Sequence, residues 1–144
     1  MSKFSEIFQM RMAEDVEILA KGEMLPLNQR YTSNRNLLIC LSFNCLRCME
    51  MIEELKSCGP ISRINIVLLT DGSYIENQQL TEYLMNRYPV QGLESDEFKL
   101  LKAYSKPYYY VVDQNNIIIG SGKWINLSHM QDILRIEFIN EVKP

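Results

Sequence analysis

The sequence predicts an α/β domain, and three observations carry that prediction. Asn36-Leu-Leu-Ile-Cys-Leu-Ser-Phe43 is an uninterrupted apolar run of strand length, the pattern of a central strand covered on both faces. From Leu46 to Cys58, Cys48, Met51, Ile52, Leu55 and Cys58 follow helical spacing while Glu50, Glu53, Glu54 and Lys56 occupy the other side, and Gly59-Pro60 stops the helix. Ile64-Asn-Ile-Val-Leu-Leu69 is a second buried strand that ends at Asp71-Gly72. Strand, helix and strand in this order form one crossover unit with parallel strands.

The remaining elements follow along the chain. Phe4, Phe8, Met12, Val16 and Leu19 line one side of an amphipathic helix from Phe4 to Lys21, which ends at Gly22 with Pro26 barring its continuation. Residues 1–22 therefore form an N-terminal helical extension. Beyond the second strand a helix runs from about Ile75 to Tyr88, with Leu80, Tyr83, Leu84, Arg87 and Tyr88 on one face and Pro89 closing it. A shorter helix, about Asp96 to Tyr104, takes Ser95 as its cap, and together these two make a mid-chain helical insert. Tyr108-Tyr-Tyr-Val-Val112 and Asn116-Ile-Ile-Ile-Gly120 flank the turn formers Asp113-Gln-Asn-Asn116, which reads as an antiparallel hairpin. A closing helix, Leu127 to Val142, opens with a capping box of Ser128 and Gln131. The element order is α, β, α, β, α, α, β, β, α, in a single domain over residues 1–144.

Composition removes several function classes. At 144 residues with 47% apolar and 23% charged residues, the chain has the makeup of one globular domain rather than a disordered or repetitive polymer. A net charge of −3 disfavours sequence-independent phosphate binding, so no nucleic-acid partner is expected. No apolar run reaches the roughly 18 residues of a membrane span. The start Met-Ser-Lys-Phe-Ser-Glu lacks the apolar core of a signal peptide. The expectation is a soluble chain, cytoplasmic as written or periplasmic where a leader has been removed.

Four cysteines, Cys40, Cys45, Cys48 and Cys58, fall within one short window, whereas a stapled secreted scaffold would spread them along the chain. Cys45-Leu-Arg-Cys48 sits where a buried strand meets a helix N-terminus. Three residues apart in a first turn, the two sulfurs lie close enough to join. The free N–H groups of the helix and the charge of Arg47 favour a thiolate at Cys45, which projects toward solvent, while Cys48 faces the fold. The chemistry this favours is thiol–disulfide exchange, with Cys45 attacking and Cys48 resolving the mixed disulfide. A zinc site would need Cys40, mid-strand, and Cys58, at the far end of a helix roughly 15 Å long, to converge with the pair, so no metal is expected. Cys40 and Cys58 read as inert core thiols. His129 gives no support for a Cys–His pair, and Trp124 reads as core or edge cover. Tyr108, Tyr109 and Tyr110 should alternate faces along their strand.

The segments Leu37 to Lys56, Ala103-Tyr-Ser-Lys-Pro-Tyr-Tyr-Tyr-Val-Val-Asp113 and Ile117 to Gly120 resemble the thioredoxin-like fold. The likeness is to its extended thiol–disulfide oxidoreductases, related to bacterial cytochrome-maturation and peroxiredoxin-like proteins. It covers about Lys21 to Val142. The resemblance implies a central mixed sheet flanked by helices and a cis-proline at Pro107 beside the cysteines. It also implies that the Lys106 backbone pairs with a bound substrate chain and that Lys106 places a charge near the thiolate. Asn44, Arg47, Lys106 and Pro107 are then the substrate-binding residues around the catalytic pair Cys45 and Cys48. Two departures stand out: Asn44 occupies the place of the family's usual Trp, and Ile39 the place where thioredoxins carry a buried Asp.

Two functions follow. One is a thiol–disulfide oxidoreductase without cofactor, acting on a protein thiol or disulfide and coupled to a further redox partner, as a monomer or weak dimer. The other is a binding or scaffold module of the same fold whose Cys-x-x-Cys is redox-silent.

Overall fold

The computed structural model describes residues 19–58 and 64–133. Most of the first predicted helix, the Gly59-Pro60 stop and residues 134–142 of the closing helix lie outside that range. Among the described residues five strands form one sheet: β1 (Asn36–Leu41), β2 (Asn65–Thr70), β3 (Val90–Gly92), β4 (Tyr108–Val112) and β5 (Ile118–Lys123). Three helices separate them: α1 (Leu46–Ser57), α2 (Tyr74–Tyr83) and α3 (Ser95–Leu100). The strand order is β3-β2-β1-β4-β5. β1 pairs parallel with β2 and antiparallel with β4, and β5 extends the sheet as the hairpin partner of β4. The predicted mixed sheet, parallel on one side and antiparallel on the other, is the observed one.

β1 is central and buried along its whole length, which is why its sequence shows no polar alternation. Leu37, Ile39 and Leu41 face α1 and α2, packing with Met51, Ile52, Leu55, Leu80 and Leu84. Leu38 and Cys40 face the other layer, where Leu25, Tyr31, Phe98 and Leu101 cover the sheet. Tyr109 joins the first core, while Tyr108 and Tyr110 stand on the second side with ring centroids 5.3 Å apart, the alternation expected of a strand. Trp124 is buried in the first core.

Several boundaries differ from the sequence reading, each for a visible reason. Leu19 to Lys21 are not helical: Glu23 closes a turn onto the Ala20 carbonyl, and Gly22, at φ 93°, donates to Ile118 of β5. Sheet pairing has replaced the end of the expected helix. α2 stops at Tyr83, not Tyr88, because Met85 and Asn86 turn left-handed (φ 57° and 58°). That turn lets Arg87 donate to the carbonyls of Lys56 and Cys58 at the end of α1 (3.1 and 2.8 Å) and buries Tyr88.

The segment after Pro89, which shows no strand pattern, forms β3 by pairing with Leu68 to Thr70. Three residues are too few to display a period, so only the neighbouring strand reveals it. α3 ends at Leu100 rather than Tyr104, and its first turn is closed by Glu97 accepting from the Glu94 N–H (3.3 Å), with Ser95 already helical.

β5 begins at Ile118 because Asn116 adopts a left-handed turn (φ 62°) and sends its amide to the carbonyls of Leu27 and Gln29. It then runs through Gly120-Ser-Gly122, weak strand formers. A Cβ on Gly122 would stand 3.0 Å from the Tyr109 hydroxyl, so glycine lets the tyrosine lie over the strand. The helical residues 127–133 are capped by Asn126, whose Oδ1 accepts from the His129 N–H (2.7 Å), and not by Ser128, which lies inside the helix.

Candidate functional site

The site lies where β1 ends. The expected strand to Phe43 stops at Leu41, because the Ser42 N–H turns away from the sheet and donates to Cys48 Sγ (3.4 Å). Asn44 follows, exposed, its N–H donating to Ser42 Oγ (3.3 Å). Phe43 packs on Gly72 in the loop after β2, where a Cβ would come within 2.3 Å of its ring. The glycine thus admits the aromatic that braces the turn into α1.

Cys45 is the N-cap of α1, and the Cys48 N–H donates to its sulfur (3.2 Å). This is the capping geometry that a side-chain oxygen usually supplies, here made by a half-exposed sulfur. Cys48 stands one turn on, fully buried in the core with Ile39 and Met51. Burial, and next the hydrogen bond to Cys45, push the Cys48 thiol up to about 12.

The approach to β4 completes the arrangement. The Lys106–Pro107 peptide is cis, and the Lys106 carbonyl accepts from Cys45 Sγ at 3.5 Å. Pro107 is buried, its carbonyl held by the Trp124 N–H (2.9 Å). The Lys106 ammonium lies 5.4 Å from the Phe98 ring centroid. Elements distant in sequence thus bring Cys45, Cys48, Lys106 and Pro107 together. Arg47 points elsewhere: its guanidinium donates to the Ile125 carbonyl (3.1 Å), on a groove of about 460 Å³ shared with Glu50, Glu53, Glu54 and Trp124.

Two residues of the site were not singled out from sequence. Ser42 supplies a hydrogen bond to each side of the turn, and nothing local marks it except its place before the cysteine pair. Phe98 reaches the site only through the packing of α3. Cys40 is buried on the opposite face of β1, and burial pushes its thiol up to about 12, as befits an inert core group. Cys58 departs from that expectation: it caps α1, is half-buried, and its sulfur lies 3.5 Å from the Tyr88 hydroxyl. Among the described residues no His, Cys, Asp and Glu group together as metal ligands.

The sequence matches no family model and no curated protein. Solved structures do match. The thioredoxin domain of a thiol-disulfide oxidoreductase from Bacteroides vulgatus aligns over 83% of this chain and 98% of its own, at 13% identity and a TM-score of 0.62. The chain has a thioredoxin-like fold. A thiol:disulfide interchange protein from a Bacteroides species shares it over 87% of this chain and 93% of its own, at 15% identity and a TM-score of 0.61. A thioredoxin-like protein from Parabacteroides distasonis does so over 82% and 96%, at 13% identity and a TM-score of 0.57. In this thioredoxin-like chain the Cys-x-x-Cys pair sits at the junction of β1 and α1. Among its described residues no helix is long and apolar enough to cross a membrane.

Proposed function

We propose that the protein is a thiol–disulfide oxidoreductase that exchanges the Cys45–Cys48 pair with a disulfide or thiol on another polypeptide. The observation that carries this reading is the asymmetry of the pair: a half-exposed sulfur at the helix N-cap, hydrogen-bonded to the backbone of a fully buried partner thiol. An accessible attacker backed by a shielded resolver is what two-step exchange requires. Two solved structures of like fold, one the thioredoxin domain of a thiol-disulfide oxidoreductase and one a thiol:disulfide interchange protein, support it.

In the reducing direction, Cys45 as thiolate attacks one sulfur of the substrate disulfide. A bond forms between Cys45 Sγ and that sulfur, the substrate S–S bond breaks, and the first substrate thiolate leaves. Cys48 then loses its proton and attacks Cys45 Sγ. The intramolecular disulfide forms, the mixed disulfide breaks, and the second substrate thiolate departs and takes up a proton. Two electrons pass from the dithiol to the substrate, and the oxidising direction runs the same steps backwards. Pro107 and the Lys106 backbone would flank the bound chain, with Asn44 at its exposed rim.

The test is exchange with a protein disulfide by single variants. Cys45→Ser should abolish exchange, and Cys48→Ser should accumulate mixed disulfides through Cys45, visible by mass spectrometry and released by dithiothreitol. Wild-type behaviour in both variants would leave a redox-silent binding module as the function.

A further inference from the structure

Arg47 stands between the two cysteines, yet its guanidinium is held by the segment that follows β5, where it donates to the Ile125 carbonyl (3.1 Å). Further along the same helix, Glu54 accepts from Trp124 Nε1 (3.2 Å) and from the Leu127 N–H (2.9 Å). Arg47 and Glu54 are two turns apart on one face of α1, so residues 124–127 are tied along that face at points roughly 10 Å apart. The two side chains line the same groove.

That segment has a second attachment, toward the cysteines. Trp124 donates its backbone N–H to the Pro107 carbonyl (2.9 Å), and the preceding Lys106 carbonyl accepts from Cys45 Sγ (3.5 Å). The contacts close a circuit: from Cys45 along the first turn of α1 to Arg47, across to Ile125, back through Trp124 to Pro107 and Lys106, and so to Cys45 Sγ. Apart from the Arg47 donor, the hydrogen bonds of this circuit are made by backbone groups and by the sulfur itself. Arg47 is therefore the side chain that sets how far the start of α1 stands from the end of β5. The link contributes little to the core, because Arg47 is exposed and Ile125 is 52% exposed.

We propose that Arg47 is a positioning residue for the substrate chain: as a strap from α1 to Ile125 it fixes the width of the cleft between Cys45 and the Lys106–Pro107 backbone. It acts through that geometry, not through its charge on the sulfur. The inference rests on the redox reading above, in which a bound polypeptide lies against that backbone. An extended chain must fit the cleft, whereas a reagent that meets only the sulfur is indifferent to the strap.

Two disulfides separate these roles. One joins two short unstructured peptides, which can lie along the Lys106–Pro107 backbone; the other is a neutral dipyridyl disulfide. In a single turnover the Cys45–Cys48 dithiol becomes the intramolecular disulfide, and either reagent gains two electrons and two protons and leaves as two thiols. Product formed by the pre-reduced protein, followed against disulfide concentration, yields a half-saturation concentration and a limiting rate. In a Cys58→Ser background, which removes the half-buried bystander thiol, Arg47→Gln should raise the half-saturation concentration for the peptide disulfide about three- to tenfold, the scale of one lost hydrogen bond. The limiting rate should change less, and the rate with the dipyridyl disulfide should match the parent's. Arg47→Lys, whose ammonium can donate to the same carbonyl, should recover most of the peptide binding. An unchanged half-saturation concentration in Arg47→Gln overturns the proposal, as does a loss that Arg47→Lys leaves in full. Equal slowing with both disulfides also overturns it, since a charge effect on the thiolate would then account for the residue. Each of these outcomes leaves the redox reading in place. A parent protein that reduces neither disulfide overturns the redox reading, and the proposal with it.

Discussion

Asn36 shows what one buried polar residue does at the start of the central strand. It is fully buried, and its amide donates to the carbonyls of Ser33 (2.8 Å) and Val112 (3.3 Å) while its oxygen accepts from Asn65 (2.9 Å). One side chain thus ties β1 to β2 on one edge and β4 on the other, at the end of the sheet away from Cys45. Asn36→Ala would remove three hydrogen bonds and strand the Asn65 amide, a loss of about 1–3 kcal/mol. Chemical denaturation checks it: the midpoint should fall with an unchanged slope, and an unaltered midpoint would mean that water replaces the asparagine without cost.

At the scale of elements, α1 is the organiser. Its N-cap is the candidate nucleophile, its buried face fills the core, and Arg87 closes its C-terminus. On its outer side Glu54 accepts from Trp124 Nε1 (3.2 Å) and from the Leu127 N–H (2.9 Å), joining α1 to the end of β5 and to the start of the last helix. Trp124 in turn holds the carbonyl of Pro107, so Glu54 acts at a distance on the loop facing Cys45. Glu54→Ala should cost about 1–2 kcal/mol in stability, the range for hydrogen bonds to a charged group discounted for partial exposure. Hydrogen exchange should show the loss of protection concentrated in residues 124–133. Uniform loss across the sheet would contradict the role assigned to this carboxylate.

The molecule as a whole has an alkaline limit written into its core. Burial pushes the thiols of Cys40 and Cys48 and the hydroxyl of Tyr31 up to about 12, above their usual values. Between the unfolded value of a thiol, about 8.5, and its folded value, the unfolded chain binds fewer protons than the native one. Stability from these groups is therefore complete below about pH 8.5 and is lost progressively as pH rises toward 12. Denaturation midpoints measured at pH 7.5, 9 and 10.5 should decline, and Cys40→Ala should decline less steeply than the parent from its own starting point. A flat profile over that range would show that the buried thiols do not ionise on unfolding.

The sequence by itself determined the α/β class, the parallel strand–helix–strand unit, the C-terminal hairpin and the position of the cysteine pair at a helix start. These rest on local signals: an unbroken apolar strand, a helical stripe, turn formers between two strand runs. Tertiary structure decided what no local pattern contains. β3 exists because β2 offers it an edge, α2 ends early because Arg87 and Tyr88 serve the end of α1, and Asn126, not the expected Ser128, caps the last helix. The same division runs through the site. Cys45 and Cys48 were legible because their spacing and their place between strand and helix are contained in thirteen consecutive residues, Asn36 to Cys48. The partners of Arg47 and Lys106 were not, since a long cationic side chain's direction depends on which carbonyl or ring the completed fold puts within reach. Helical spacing gave Cys58 a place in the core, but folding left it half-buried as the cap of α1. A sequence records which residues are apolar and how they repeat; only the packed chain records what each polar group meets.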